Sequence, residues 1–175
     1  EIERRYLELD AAYRARIESD YADREFTVGG ETFSVSRAQL MRYALVYGKA
    51  VAFMVRIYRT HIAPAGRPID FEISIDETAT PTDPGAHWFV ANELRREGVV
   101  VYSMAPRFCG EFQKGVDYIG DLAQFERELA AHAAICDRFG YKLSIHSGSD
   151  KFSVFPLVAK YTRGRFHLKT AGTNW

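Results

Sequence analysis

No run of apolar residues in this chain approaches the ~18 needed to cross a bilayer, so no membrane-spanning helix is expected. Cysteine is scarce. Cys109 and Cys136 do not form a metal-type pair and are too few for a disulfide scaffold. That usage fits a reducing compartment, and the cytoplasm is the expected location. Neither sign of charge is in excess, with 23 Lys+Arg against 23 Asp+Glu. Binders of nucleic acid or of membrane surfaces usually carry a basic surplus, so neither partner is expected. No Gly-x-Gly-x-x-Gly follows any candidate strand, which makes a dinucleotide fold the less favoured α/β form. The opening stretch EIERRYLELD has no signal-peptide layout and no initiating Met. The chain stops at Trp175 just after a candidate strand, so both ends are expected to continue in a longer protein.

What is present is an ordinary globular composition: 175 residues, 47% hydrophobic and 26% charged, enough for one domain with a sizeable core. Residues 1–68 read as a helical segment with a small β-hairpin, and 69–175 as strand–helix repeats that carry the site. Residues 1–18 suggest a surface helix. FTVGGETFSV (26–35) predicts a hairpin turning at Gly29-Gly30. Ser36 with Gln39 forms a capping-box pattern, and apolar spacing from Leu40 to Tyr58 predicts a helix to about Thr60. Strands are expected at 70–75, 99–103, 141–146 and 165–168, parallel and in sequential order. Helices should start at Pro84, after an Asp121 cap with Gln124 at the box position, and near Pro156, stopping at Gly98, Gly140 and Gly164. The fold class is α/β and (β/α)8 TIM-barrel-like, the chain covering roughly half of the barrel strands. A partial barrel would expose two sheet edges and an apolar inner face, so association into a homo-oligomer or with further chain is expected.

The stretch YKLSIHSGSDK (141–151) runs from a short apolar strand straight into polar and glycine residues. A polar βα loop that caps the next helix is one reading. A site at the carboxyl end of a strand is the other, because ligands of parallel α/β folds bind there. The other strands end as richly: Asp76-Glu77-Thr78, then 103–107, then 167–170. Glu77, His146 and His167 come from three strands, and two imidazoles with a carboxylate suit a divalent transition metal, zinc, manganese, nickel or iron. The alternative for both histidines is a core imidazole bonded to backbone. Arg107, Lys114, Lys151 and Lys169 form a cationic group at the same end. Arg107 could grip a carboxylate with its fork, or pin its own loop through Glu111 or Asp117. Glu77, Lys151 and Lys169 are the catalytic candidates, the lysines as oxyanion partners or proton carriers. Arg107, Lys114, Ser147, Asp150 and Thr170 are the substrate-binding candidates. His61, His87 and His132 read as surface or packing residues.

DETATPT (76–82), APRFCGEFQKGVDYIGD (105–121), YKLSIHSGSDKFSV (141–154) and FHLKTAGTNW (166–175) are the blocks that carry a resemblance. They resemble the tagaturonate/fructuronate epimerase family of hexuronate catabolism, and VYGKAVAFMVRIYRTHI (46–62) extends the similarity more loosely. The resemblance implies a metal-dependent isomerase that interconverts D-tagaturonate and D-fructuronate, with a small sugar acid as its partner. Members of that family are considerably longer than this chain. The carbon that inverts lies β to the ketone, so its hydrogen is not acidified. Transient oxidation by a nicotinamide cofactor, or retro-aldol cleavage with re-addition, are the two routes. The second needs an oxyanion stabiliser such as a divalent metal, and a cation to retain the uronate. A class II-type aldolase, a ketose isomerase and an inactive fragment or binding module are the alternatives.

Overall fold

In the computed structural model, residues 1–170 are described. The chain divides into two compact units. The first comprises residues 1–27, 32–69 and 88–100. Its opening is two helices, α1 (Ile2–Leu7) and α2 (Ala11–Tyr21), where the sequence suggests one. Asp10 makes the break, because its carboxylate accepts from the Tyr13 amide at 2.8 Å and starts a new helix. Strands β1 (Arg24–Val28) and β2 (Glu31–Val35) form the expected hairpin. Gly29 and Gly30 both take positive φ, +60° and +91°, as a two-residue primed turn requires. Helix α3 (Arg37–Ile57) begins with the full Ser36–Gln39 capping box. It buries Leu40, Tyr43, Ala44, Tyr47, Val51 and Val55, the stripe that the 3.6-residue period dictates. A π turn (Tyr58–Ile62) and a 3-10 turn (Ala63–Ala65) carry it to the left-handed Gly66. Within this unit buried Glu93 is satisfied by Arg16 and by the Tyr21 hydroxyl at 2.9 Å.

The second unit holds residues 28–31, 70–87 and the described residues from Val101 on. Its sheet is β3 (Glu72–Ile75), β4 (Ser103–Pro106), β5 (Lys142–Ile145) and β6 (Phe166–Leu168), all parallel and in the order β3-β4-β5-β6. Helices α4 (Pro84–Arg96), α5 (Leu122–Phe139) and α6 (Phe155–Thr162) follow the first three strands. Within this unit α5 packs on β5 and α6 on β6. Ile73, Ile75, Met104, Leu143 and Ile145 are buried on the sheet, and α5 and α6 bury Phe125, Leu129, Ile135 and Val158. Asp121 caps α5 through the Ala123 and Gln124 amides. The Gln124 side chain turns to Glu128 instead, so the second half of the box does not form.

One strand lies four residues from its expected place. The β-branched run 99–101 with Tyr102 leads into the sheet, and Val100 stays 69% exposed. The paired strand is Ser103–Pro106, whose small residues are buried between two neighbours. Propensity favours the valines, but register with Glu72–Ile75 decides. Deeper in this unit His87 and His132 are fully buried, with their Nδ1 atoms 2.9 Å apart, and His87 Nε2 lies 2.8 Å from the Tyr141 hydroxyl. Two facing nitrogens share one hydrogen bond only if one is protonated and the other bare. Burial accordingly pulls both below the imidazole range, His132 to about 4.

Candidate active site

Side chains alternate along a strand, so every second residue of β3 shares a face. Ile73 and Ile75 take the helix side; Glu72, Ser74 and then Asp76 take the other. Register extends the rule across the sheet. Glu72 pairs with Ser103 and Ser103 with Lys142, while Ser144 pairs with His167. Ala105, Arg107, His146 and Lys169 fall on the same parity. This face is polar, which corrects the expected apolar inner face. The residues on it interlock. Ser103 Oγ donates to Glu72 at 2.6 Å, and His167 Nδ1 lies 2.6 Å from the same oxygen. Lys169 Nζ donates to Ser74 Oγ at 2.7 Å and stands 3.7 Å from both Glu72 and Asp76.

At the carboxyl ends of the strands, His146 Nδ1 is 4.0 Å from Asp76 Oδ2. Asp76 Oδ1 and His146 Nε2 are buried with no hydrogen-bond partner among the described residues. The imidazole is flanked by Phe108, stacked at 5.7 Å, and by Phe112 at 5.0 Å. Burial pulls His146 below the usual range against the attraction of Asp76, and the charges of Lys169, Arg107 and Lys151 add to the lowering. Two bare buried polar atoms at the strand ends, one of them on an imidazole flanked by aromatic rings, mark this end of the sheet as the candidate site.

The other candidates fall into place around it. Arg107 Nη1 donates to the Thr78 carbonyl, and its backbone bonds Thr82 on the same loop. Arg107 therefore ties its strand end to the β3–α4 loop; Asp117 bonds Ser153 and Glu111 bonds Gln113. Lys151 is 0% exposed and gives its protons to the Gln113, Val116 and Ser149 carbonyls. Such a lysine joins two loops, with its pKa lowered by burial against Asp117 and Asp150. Ser147 and Asp150 take left-handed φ, +47° and +59°, in the loop between. Gly148 is fixed by close approach: a Cβ there would lie 2.3 Å from Leu168 Cδ1. Lys114, Asp150 and Thr170 are exposed.

The expected metal triad is not assembled. Glu77 is exposed, and among the described residues no three His, Cys, Asp or Glu side chains gather closely enough to hold an ion. The reason is parity, since Asp76, not Glu77, shares the face of His146. His167 sits one layer deeper, bonded to Glu72. The sequence reading named Asp76 and Ser103 only as parts of polar strand ends, and it passed over Glu72, Ser144 and the Phe108–Phe112 flank as site residues. The signal was available in FEISID (71–76), where polar and apolar residues alternate strictly.

The family model of UxaE, tagaturonate epimerase, matches residues 1–175. The chain is 49% identical over 163 residues to a tagaturonate/fructuronate epimerase of Thermotoga maritima, a match covering 93% of this chain and 34% of that protein. The native crystal structure of the fructuronate-tagaturonate epimerase UxaE from Cohnella laeviribosi superposes with a TM-score of 0.96 at 63% identity. That match covers 99% of this chain and 36% of the other. A structure of the same enzyme with two glycerols gives a TM-score of 0.95 at 63% identity, covering 100% of this chain and 36% of that one. The chain thus spans about a third of the length of the relatives it matches. Over its whole length it belongs to the tagaturonate epimerase family.

Proposed function

We propose that this chain supplies a strand-end portion of a hexuronate epimerase site, in an isomerase that interconverts D-tagaturonate and D-fructuronate. The observation that carries the reading is the polar sheet face, which brings Asp76, His146, Lys169 and Arg107 to one end of a parallel sheet. Family membership supplies the substrate pair. The four-strand sheet, parallel and in sequential order, supports half of a (β/α)8 barrel as the architecture, with this face turned to the barrel axis.

Inversion at a carbon β to a ketone favours retro-aldol chemistry. The hydroxyl on that carbon loses its proton, the bond to the α carbon breaks, and an aldehyde and an enediolate result. The aldehyde turns and the bond re-forms on its other face. In these sugars the carboxylate stays with the aldehyde fragment. Arg107, anchored on Thr78, would hold that carboxylate so the fragment turns without escaping. Lys169 would offset the oxyanion charge. Lys151 would keep the two loops in register, its protons being spent on carbonyls.

Asp76 at the end of β3 and His146 at the end of β5 each leave a buried polar atom bare, and the pair fits two of the donors that a divalent cation needs. Asp76 and His146 would hold it, together with donors beyond this pair. Bound there, such an ion would supply Lewis-acid stabilisation of developing negative charge. The test is turnover of D-tagaturonate by the full-length protein, followed by NMR. Fructuronate as the product supports the reading. Net release of three-carbon fragments would make the enzyme an aldolase, and an aldose product would make it a ketose isomerase.

A further inference from the structure

Glu72 is the carboxylate on which all four strands converge. It lies on β3, on the same face as Asp76 and below it, with Ser74 between them. Its Oε2 meets Ser103 Oγ of β4 and His167 Nδ1 of β6, each at 2.6 Å. Ser144 Oγ of β5 stands 3.1 Å from that same imidazole nitrogen. Lys169 Nζ approaches Oε1 at 3.7 Å. A half-buried ionised carboxylate is a poor way to gain stability, because its desolvation offsets much of what the pairing returns. Burial would push Glu72 up, but the hydrogen bonds from Ser103, His167 and Ser144 outweigh it and leave the carboxyl below its usual range. Glu72 therefore accepts hydrogen bonds from its neighbours' N–H and O–H groups and donates none.

That fixes the ring beside it. An ionised carboxylate 2.6 Å from Nδ1 requires a hydrogen on that nitrogen. A neutral imidazole has one N–H, so Nε2 is left as a bare acceptor. The ring is about half exposed, so that acceptor is not sealed in the core.

We propose that Glu72 is a positioning residue that holds the Nδ1 proton of His167, so that His167 Nε2 takes the proton of the substrate hydroxyl on the carbon that inverts. The proposal rests on the epimerase reading above. In the cleavage direction the hydroxyl proton passes to Nε2 and the O–H electron pair becomes the aldehyde carbonyl. The carbon–carbon pair becomes the C=C of the enediolate, and the ketone π pair moves onto the ketone oxygen. Re-addition reverses each transfer and returns the proton from Nε2, so no oxidant or reductant is consumed. Glu72 holds the imidazolium in the interval, as a carboxylate partner does for other catalytic imidazoles.

The experiment uses the full-length enzyme with 15N-labelled histidine. His167 is assigned as the imidazole signals lost in His167→Gln. Whenever that ring is neutral, the unmutated protein should show it protonated on Nδ1 and bare on Nε2. Glu72→Gln should lose this tautomer preference, and kcat should fall about 100-fold while KM stays within about threefold. Glu72→Asp keeps the charge and should recover about tenfold of that loss. A merely structural glutamate would show a lowered melting temperature with the ring tautomer and kcat intact, and that result overturns the proposal. So does a neutral ring protonated on Nε2 in the unmutated protein, which needs no variant to fold. If the unmutated enzyme leaves D-tagaturonate unchanged, the epimerase reading fails by itself, and the spectra still decide whether Glu72 sets the ring.

Discussion

A guanidinium and a carboxylate oxygen give the site its two sharpest residue-level consequences. Arg107 has one arm on the Thr78 carbonyl. Its fork is the best match to a uronate carboxylate, and a lysine there would offer only a point charge. Arg107→Lys should raise KM for the hexuronate about tenfold, and leave a neutral ketohexose nearly untouched. Equal losses on both sugars, with a lower melting temperature, would assign Arg107 to its loop alone. Asp76 and His146 are the second case. His146→Ala removes one of two bare donors, so the metal content of purified protein should drop severalfold by elemental analysis. Full occupancy in that variant would sink the assignment, while Glu77→Ala should leave the content unchanged because that carboxylate is exposed.

At the scale of elements, the strand-end loops matter more than the strands. The loop after β4 and the loop after β5 are stitched by Lys151 to three carbonyls and by Asp117 to Ser153. That stitching holds Phe112 against His146. Lys151→Met leaves buried carbonyls without partners and should cost roughly 3 kcal/mol of stability. Amide exchange should quicken first in residues 111–120 and 149–153. A variant that loses activity with unchanged exchange would return Lys151 to the chemistry. Three of the helices start on local signals. Ser36, Asp10 and Asp121 each start a helix by bonding the amides that follow.

At the scale of the molecule, acid is the expected weakness. His87 and His132 are buried neutral, the second with a pKa of about 4 against an ordinary 6.5. Between those values the unfolded chain binds a proton at His132 and the folded chain does not. Stability is therefore complete above about pH 6.5 and falls as pH drops towards 4, by roughly 3 kcal/mol for His132 alone. Burial lowers His146 as well, and that adds in the same direction. Urea midpoints at pH 7.5 and 5 should differ more in the unmutated protein than in His132→Leu. Parallel slopes would place the acid sensitivity elsewhere.

Much of this was legible in the chain by itself. Caps, the Gly29-Gly30 turn, the stripe of α3 and the order of the four parallel strands all rest on signals that act within a few residues. Family blocks such as YKLSIHSGSDK were equally readable. The alternation in FEISID also carries which of Asp76 and Glu77 shares a face with His146. Only the tertiary structure decided the rest. The placement of β4 on Ser103–Pro106 follows from register with β3, against the local preference of the valines. The pairing of Glu72 with His167 joins residues far apart in sequence. The burial of the Lys151 ammonium among carbonyls depends on where a second loop passes. Each is set by pairing across strands, and no local propensity encodes which polar side chains will meet when four strands align.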